Sequence, residues 1–288
     1  MTKEKIVVIV GQTATGKSAL AVKLAKKIKG EIISADSRQV YKGLDIGTGK
    51  ITKKEMGGIP HHLLDVANPK RKFTVIDFKK LAMTAAAVIT KQGKIPIIVG
   101  GTGFYIDALV RGEIYPEVPP NPKLRKELSK KSTESLFKIL SKLDPIRAKS
   151  IDAKNPVRLI RAIEIAKALG KVPNIIQNPP PYDFIKIGIK VDEKTLKKKI
   201  EKRVKQMFAD GLLNEIEKLK KNGVSQKRLN EFGFEYDNPT EEKVILGSLQ
   251  YAKRQNTYFK RDSGIKWFTP KEYTKIEKYI KKEILKKI

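Results

Sequence analysis

Eight residues near the amino terminus, Gly11-Gln12-Thr13-Ala14-Thr15-Gly16-Lys17-Ser18, fit the spacing G-x-x-x-x-G-K-[ST] at every position. Glycines at the ends of such a loop let backbone N–H groups turn inward around phosphate oxygens, and a following helix adds its positive end. Lys17 is expected to reach a terminal phosphate, and the Ser18 hydroxyl to help hold Mg²⁺. Two further segments carry reactive side chains: Ala35-Asp36-Ser37-Arg38-Gln39-Val40-Tyr41 and Gly100-Gly101-Thr102-Gly103. The Asp36 carboxylate is suited to taking a proton from a nucleophile, to ligating Mg²⁺, or to capping a turn or helix. Thr102 brings a hydroxyl into a run of glycines that permits close backbone approach to a ligand.

These groups act together only if a sheet gathers them. Ile6-Val-Val-Ile-Val10 is a short, continuously apolar, β-branched run, the pattern of a strand buried on both faces of a parallel sheet, and it leads straight into the glycine loop. Beyond the loop, Leu20, Leu24 and Ile28 recur every four residues on one helical face. Strands are also predicted over 31–34 and 95–99. Ligands in open α/β sheets collect at the carboxyl ends of strands, so Asp36 and the glycine run after Val99 are expected to face the loop. No apolar strand ends in an aspartate of the motor-ATPase type, which argues for a small kinase-like transferase core.

The chain has 288 residues with 61 Lys plus Arg against 31 Asp plus Glu, a formal net charge of +30. That excess favours a polyanionic partner, although part of it reflects lysines on ordinary solvated faces. With no cysteine, disulfides, thiolate catalysis and cysteine-ligated metals are excluded. The only histidines, His61 and His62, are adjacent; neighbouring side chains diverge, so they are expected to hydrogen-bond within the fold rather than to share a metal. No run is long enough for a membrane span, and a cytoplasmic protein is expected.

After Arg111-Gly112 the composition changes. Glu117-Val-Pro-Pro-Asn-Pro122 marks a boundary, and helix-patterned sequence follows over about 123–169, with Arg158 and Arg161 on one face. A strand-like segment returns at 184–191. It is followed by a basic helix over 194–208 whose apolar face carries Leu196, Ile200 and Val204. Near the carboxyl end, Tyr251-Ala-Lys253-Arg254-Gln255-Asn-Thr-Tyr-Phe259 mixes cations, amides and aromatics, a composition suited to phosphate contact and base stacking.

Taken in order, the glycine loop, the segment 35–41, Gly43-Leu-Asp-Ile-Gly-Thr48, Pro60-His-His-Leu63, Gly100-Gly-Thr-Gly103, Arg158-Leu-Ile-Arg-Ala-Ile-Glu164, Arg203-Val204 and Ala252-Lys-Arg-Gln255 resemble the tRNA dimethylallyltransferase (IPP transferase) family. The resemblance implies an α/β, P-loop kinase-like parallel sheet core flanked by helices, formed by 1–112 and 183–288. A mostly helical insertion domain at 113–182 would clamp a tRNA anticodon stem-loop. It implies transfer of the dimethylallyl group from dimethylallyl diphosphate to N6 of the adenosine 3′ of the anticodon, with Mg²⁺ as cofactor and a monomer as the working unit. Gly11 to Ser18 would bind the donor diphosphate. Asp36 would be the general base, and Lys17, Thr102 and Arg203 would complete the catalytic set. Asp36, Ser37, Arg38, Gln39 and Thr102 would hold the flipped adenosine, with Arg125, Val157, Arg158, Leu159, Ile160, Arg161, Lys253, Arg254 and Gln255 as further tRNA contacts.

The chain departs from that pattern at Gly233-Phe234-Glu235-Tyr236, at Ser248-Leu249 and at Thr257-Tyr258. The departures fall in the expected RNA-binding region. If a cation missing at Leu249 is offset by the general positive field, Leu249→Arg should tighten tRNA binding only modestly. The alternative reading is an ATP-dependent small-molecule kinase, which accounts for the loop and Asp36 but leaves the basic helical half without a purpose.

Overall fold

The apolar run after Lys5 forms the centre of a sheet. In the computed structural model, which describes residues 3–178 and 180–286, β1 (Glu4–Gly11) passes through the glycine loop into α1 (Lys17–Ile28) and β2 (Gly30–Ala35). Then come α2 (Lys53–Met56), β3 (His61–His62), α3 (Val75–Lys91), β4 (Ile95–Gly100) and α4 (Gly103–Val110). A second compact unit spans Glu113–Asn178. It holds β5 (Glu113–Ile114), α5 (Pro122–Leu128), α6 (Thr133–Leu143), α7 (Pro145–Ser150), α8 (Pro156–Leu169) and β6 (Ile176–Gln177). The first unit resumes with β7 (Tyr182–Ile189), α9 (Glu193–Ala209), α10 (Leu212–Lys221), α11 (Gln226–Phe232), α12 (Glu241–Phe259), β8 (Lys266–Phe268) and α13 (Tyr273–Leu285). Tyr182, assigned to the insertion by the sequence boundary, already pairs with Glu4 in the sheet.

The six strands run in the order β3-β2-β4-β1-β7-β8, and every pairing is parallel. Alternation along β1 divides the core. Ile6, Val8 and Val10 join Phe78, Ala82 and Ile89 of α3 and Ile106 of α4 on one face. Val7 and Ile9 join Leu20 and Leu24 of α1 and Ile276 and Ile280 of α13 on the other. A strand covered on both faces needs apolar residues at every position, which is why 6–10 shows no polar alternation.

The stretch 123–169 is not one helix. Asn121 caps its first helix, and the stretch breaks again before Ser132, Asp144 and Asn155, each the cap of a new helix; Pro122, Pro145 and Pro156 open three of the four. The cap side chain satisfies an orphan backbone donor, and proline at the first position has no N–H to lose. Leu128, Leu136, Leu140, Leu159 and Ile163 form this unit's own core.

Candidate active site

The sheet register decides which residues meet. Val10 pairs with Gly100, Ala35 pairs with the same Gly100, and Gly11 pairs with Ile189. The glycine loop, the turn at Asp36 and the turn at Gly101 therefore leave the sheet side by side at its carboxyl rim.

Gly11 and Gly16 hold φ of +143° and +91°, conformations that L side chains rarely adopt. Gly16 is the N-cap of α1, with no side chain closing the helix amides. Thr15 is fully buried, and its hydroxyl donates to the Gln12 carbonyl at 2.9 Å. Gln12 Nε2 in turn donates to the Ala252 carbonyl at 3.2 Å. Ala14, with φ +59°, packs against the apolar cluster of α9 and α12. Lys17 Nζ folds back to donate to the Gln12 carbonyl. Burial first, and the Arg203 guanidinium second, pull its pKa from 10.5 down to about 7, with Asp36 opposing both. Ser18 sits exposed in the first turn of α1.

Arg203 reaches the same place from α9. Its Nη1 donates to Thr13 Oγ1 at 3.1 Å and its Nη2 to the Thr48 carbonyl at 2.9 Å. Burial lowers its pKa as well, against the pull of Asp36 and Glu235. Lys17, Arg203 and Asp36 thus share one electrostatic neighbourhood: two desolvated cations with Asp36 acting on both and Glu235 on Arg203 as well.

Asp36 closes a turn and keeps an oxygen in reserve. Its Oδ1 accepts from the amides of Arg38 at 2.9 Å and Gln39 at 3.2 Å, while Oδ2 has no hydrogen bond among the described residues. Thr102 Oγ1 accepts from the Ser37 amide at 3.1 Å. Gln39 Nε2 donates to the carbonyls of Thr48 and Gly49, each at 3.3 Å. The glycines beside Thr102 make room for protein rather than for a ligand. A side chain at Gly100, Gly101 or Gly103 would strike the Ala35 backbone, the Gln255 amide or the Tyr258 ring respectively.

Several expected RNA contacts are spent inside the protein. Gln255 is 5 % exposed; its Oε1 accepts from the Thr13 amide at 2.7 Å and its Nε2 donates to the Gly101 carbonyl at 3.0 Å. It ties the glycine loop to the Gly101 turn and has no free polar atom to offer RNA. Arg125 grips the buried Glu164 through two bonds of 2.9 and 2.7 Å, and Arg161 binds the same carboxylate and the Val118 carbonyl. Leu159 is fully buried and Ile160 packs on the same core, because they lie on the inward face of α8. Val157 and Arg158 are exposed on α8, as are Lys253 and Arg254 on α12. Both histidines bond within the fold as expected: His62 Nε2 lies 2.7 Å from Glu31 Oε2 and His61 Nδ1 lies 2.8 Å from the Ile59 carbonyl.

Glu215 escaped the sequence reading. Its carboxylate accepts from the amides of Asp45, Ile46 and Gly47 at 2.8, 2.7 and 3.1 Å, and from the Tyr236 hydroxyl at 2.8 Å. It pins the segment that delivers the Thr48 carbonyl to Arg203. Leu249 is a second surprise, because it packs with Leu196, Ile200 and Val204 in the α9–α12 cluster. Leu249 is half-buried there, so the position of the missing cation borders an apolar seam.

Comparison with known proteins agrees with this geometry. The family model described as IPP transferase matches residues 39–262. The chain belongs to the IPP transferase family. The tRNA dimethylallyltransferase of Halalkalibacterium halodurans is 39% identical over 286 residues, which span 92% of this chain and 91% of that one. Among solved structures, the full-length tRNA isopentenylpyrophosphate transferase from Bacillus halodurans superposes with a TM-score of 0.71 at 36% identity, covering 98% of this chain and 97% of its own. A eukaryotic dimethylallyltransferase captured acting on tRNA gives 0.73 at 26% identity, over 92% of this chain and 74% of that one. The match to the IPP transferase model begins after the glycine loop and Asp36.

Proposed function

We propose that this chain is a tRNA dimethylallyltransferase. It moves the five-carbon group of dimethylallyl diphosphate to N6 of the adenosine 3′ of the anticodon, with no nucleoside triphosphate consumed. The new bond joins N6 to the allylic carbon, and the bond from that carbon to the diphosphate oxygen breaks. The electron pair leaves with diphosphate, and the amine proton passes to Asp36. The observation that carries this reading is the pairing of two desolvated cations with one partly unengaged carboxylate at the end of a phosphate-type loop.

Each residue then has work to do. Helix and loop amides, Lys17 and Arg203 stabilise charge growing on the leaving diphosphate. The exocyclic amine is a weak nucleophile, its lone pair being delocalised into the ring, so orientation by the 36–39 turn and Thr102 matters together with the base. The adenosine must leave its stack for N6 to reach the allylic carbon, and a loop base is cheap to extrude.

Ser18 fits a role in holding Mg²⁺. It offers one exposed hydroxyl beside the anion cradle, and the described residues contain no His, Cys, Asp or Glu cluster able to hold a metal alone. Mg²⁺ commonly takes most of its ligands from substrate phosphates and water. When bound, it would neutralise diphosphate charge. Val157 and Arg158 on α8, and Lys253 and Arg254 on α12, are the exposed candidates for tRNA contact. The reading includes a monomer working in the cytoplasm; no described helix is long and apolar enough to cross a membrane.

Thermal protection separates this function from a kinase. Dimethylallyl diphosphate with Mg²⁺ should raise Tm in proportion to the logarithm of its concentration, and ATP should protect much less. Protection by ATP alone would favour the kinase.

A further inference from the structure

Arg38 sits in a socket made largely by one loop. Gly233, at φ +109°, leaves space that any side chain would take from the guanidinium. The Phe234 ring lies 5.4 Å from Arg38 Cζ and the Tyr251 ring of α12 lies 5.8 Å from it, distances at which a guanidinium is attracted to an aromatic face. The Glu235 carboxylate accepts from Arg38 Nη1 and is itself only 8 % exposed.

The other end of Arg38 belongs to the reaction. Its backbone N–H donates to Asp36 Oδ1 at 2.9 Å, the shorter of the two bonds that orient that carboxylate. The same turn is held from its other side by Thr102, whose hydroxyl accepts from the Ser37 amide at 3.1 Å. A guanidinium fork gripped on its carboxylate and two ring faces has lost its rotamer freedom, and the backbone that carries it is fixed with it.

We propose that Glu235 is a positioning residue which, through Arg38, fixes the turn that aims Asp36, and so sets the rate of transfer rather than the affinity for the diphosphate donor. The proposal rests on the transferase reading of the site. Burial pushes the Glu235 carboxyl upward while Arg38 and Arg203 hold it down, so an amide of the same shape is a tolerable replacement for folding. That replacement removes the charge that grips Arg38.

Glu235→Gln tests this in the full chain. The expected result is a kcat lowered roughly 10- to 100-fold, the scale of a small misplacement of a reacting group, with the KM for dimethylallyl diphosphate changed less than about twofold. Glu235→Asp, which restores the charge on a shorter arm, should recover part of the rate. A readout independent of activity is the guanidinium NMR spectrum of ¹⁵N-arginine protein. Arg38 should give a protected, ring-shifted signal, assigned by its loss in Arg38→Lys, and Glu235→Gln should abolish it. An unchanged kcat in folded Glu235→Gln protein overturns the proposal, as does a donor KM that rises as much as kcat falls. If Glu235→Gln fails to fold, Arg38→Lys must show the same split between kcat and KM, or the proposal falls. If wild type transfers nothing, the transferase reading fails instead. The NMR signal then decides the anchoring alone, its loss in Glu235→Gln supporting it and its persistence overturning it.

Discussion

Gln255 and Thr13 lie 242 positions apart, yet a 2.7 Å hydrogen bond from the Thr13 amide to Gln255 Oε1 fixes the middle of the glycine loop. The same side chain reaches the Gly101 carbonyl through Nε2. One amide thus sets the spacing between the phosphate cradle and the turn carrying Thr102. A carboxylate cannot replace it, because the Gly101 carbonyl needs a donor. Gln255→Glu should therefore destabilise the fold by about 1–3 kcal/mol, the cost of a buried unsatisfied acceptor, and should raise the KM for the diphosphate donor. Urea melts and steady-state kinetics check both.

If the glycine loop holds the donor as proposed, Lys17 should make its binding pH-dependent. Its pKa of about 7 in the ligand-free protein lies below the 10.5 of an unfolded lysine. Between those values the unfolded chain holds the extra proton, so this group adds stability as pH rises through that window. A bound diphosphate raises the pKa again. At pH 8, binding should take up about one proton, and at pH 6 almost none. Calorimetry in buffers of different ionisation enthalpy measures the uptake, which Lys17→Met should remove.

Glu215 should matter beyond its own helix. Its four accepted bonds hold the 45–47 backbone and Tyr236. Glu215→Gln replaces one accepting oxygen by a donor and should cost about 2–3 kcal/mol, as expected for bonds to a charged group. Tyr236→Phe should cost about 1 kcal/mol. Denaturant midpoints at constant m-value give the comparison.

Leu249→Arg should unfold before it helps RNA. Placing a guanidinium in the α9–α12 seam, against Ile200 and Val204, should destabilise by about 1–3 kcal/mol. A lower Tm without tighter tRNA binding is the expected outcome.

The two arginines of α8 should separate cleanly. Arg161→Ala leaves the buried Glu164 with fewer partners and should lower Tm. Arg158→Ala removes an exposed cation and should leave Tm alone while reducing the salt slope of tRNA binding by about 1. Filter binding across a salt series, beside a thermal melt, distinguishes them.

The gathering of the glycine loop, the Asp36 turn and the Gly101 turn at one rim of the sheet was legible because each of these parts is local. A buried parallel strand writes itself as a continuous apolar run, and the loop after 6–10 carries its own spacing. The breaks in 123–169 were equally local, since Asp144-Pro145 and Asn155-Pro156 are helix-start signals that overall helical periodicity obscured. The fates of Gln255, Arg125, Glu215 and Leu249 were not written locally. Their partners lie far away in sequence, and a polar side chain suited to RNA is equally suited to a buried backbone group. Only the fold decides between them. Arg158 and Arg161 illustrate the limit: helical spacing put them on one face, but only Arg161 lies within reach of Glu164.

The most direct test is transfer of labelled dimethylallyl diphosphate to unmodified tRNA, comparing wild type with Asp36→Ala in the presence of Mg²⁺. The account predicts label in tRNA with wild type and a rate lower by roughly 10²- to 10⁴-fold with the variant, the usual contribution of a general base. Folded wild-type protein that transfers nothing would contradict the function, and equal labelling by both proteins would remove Asp36 from the chemistry.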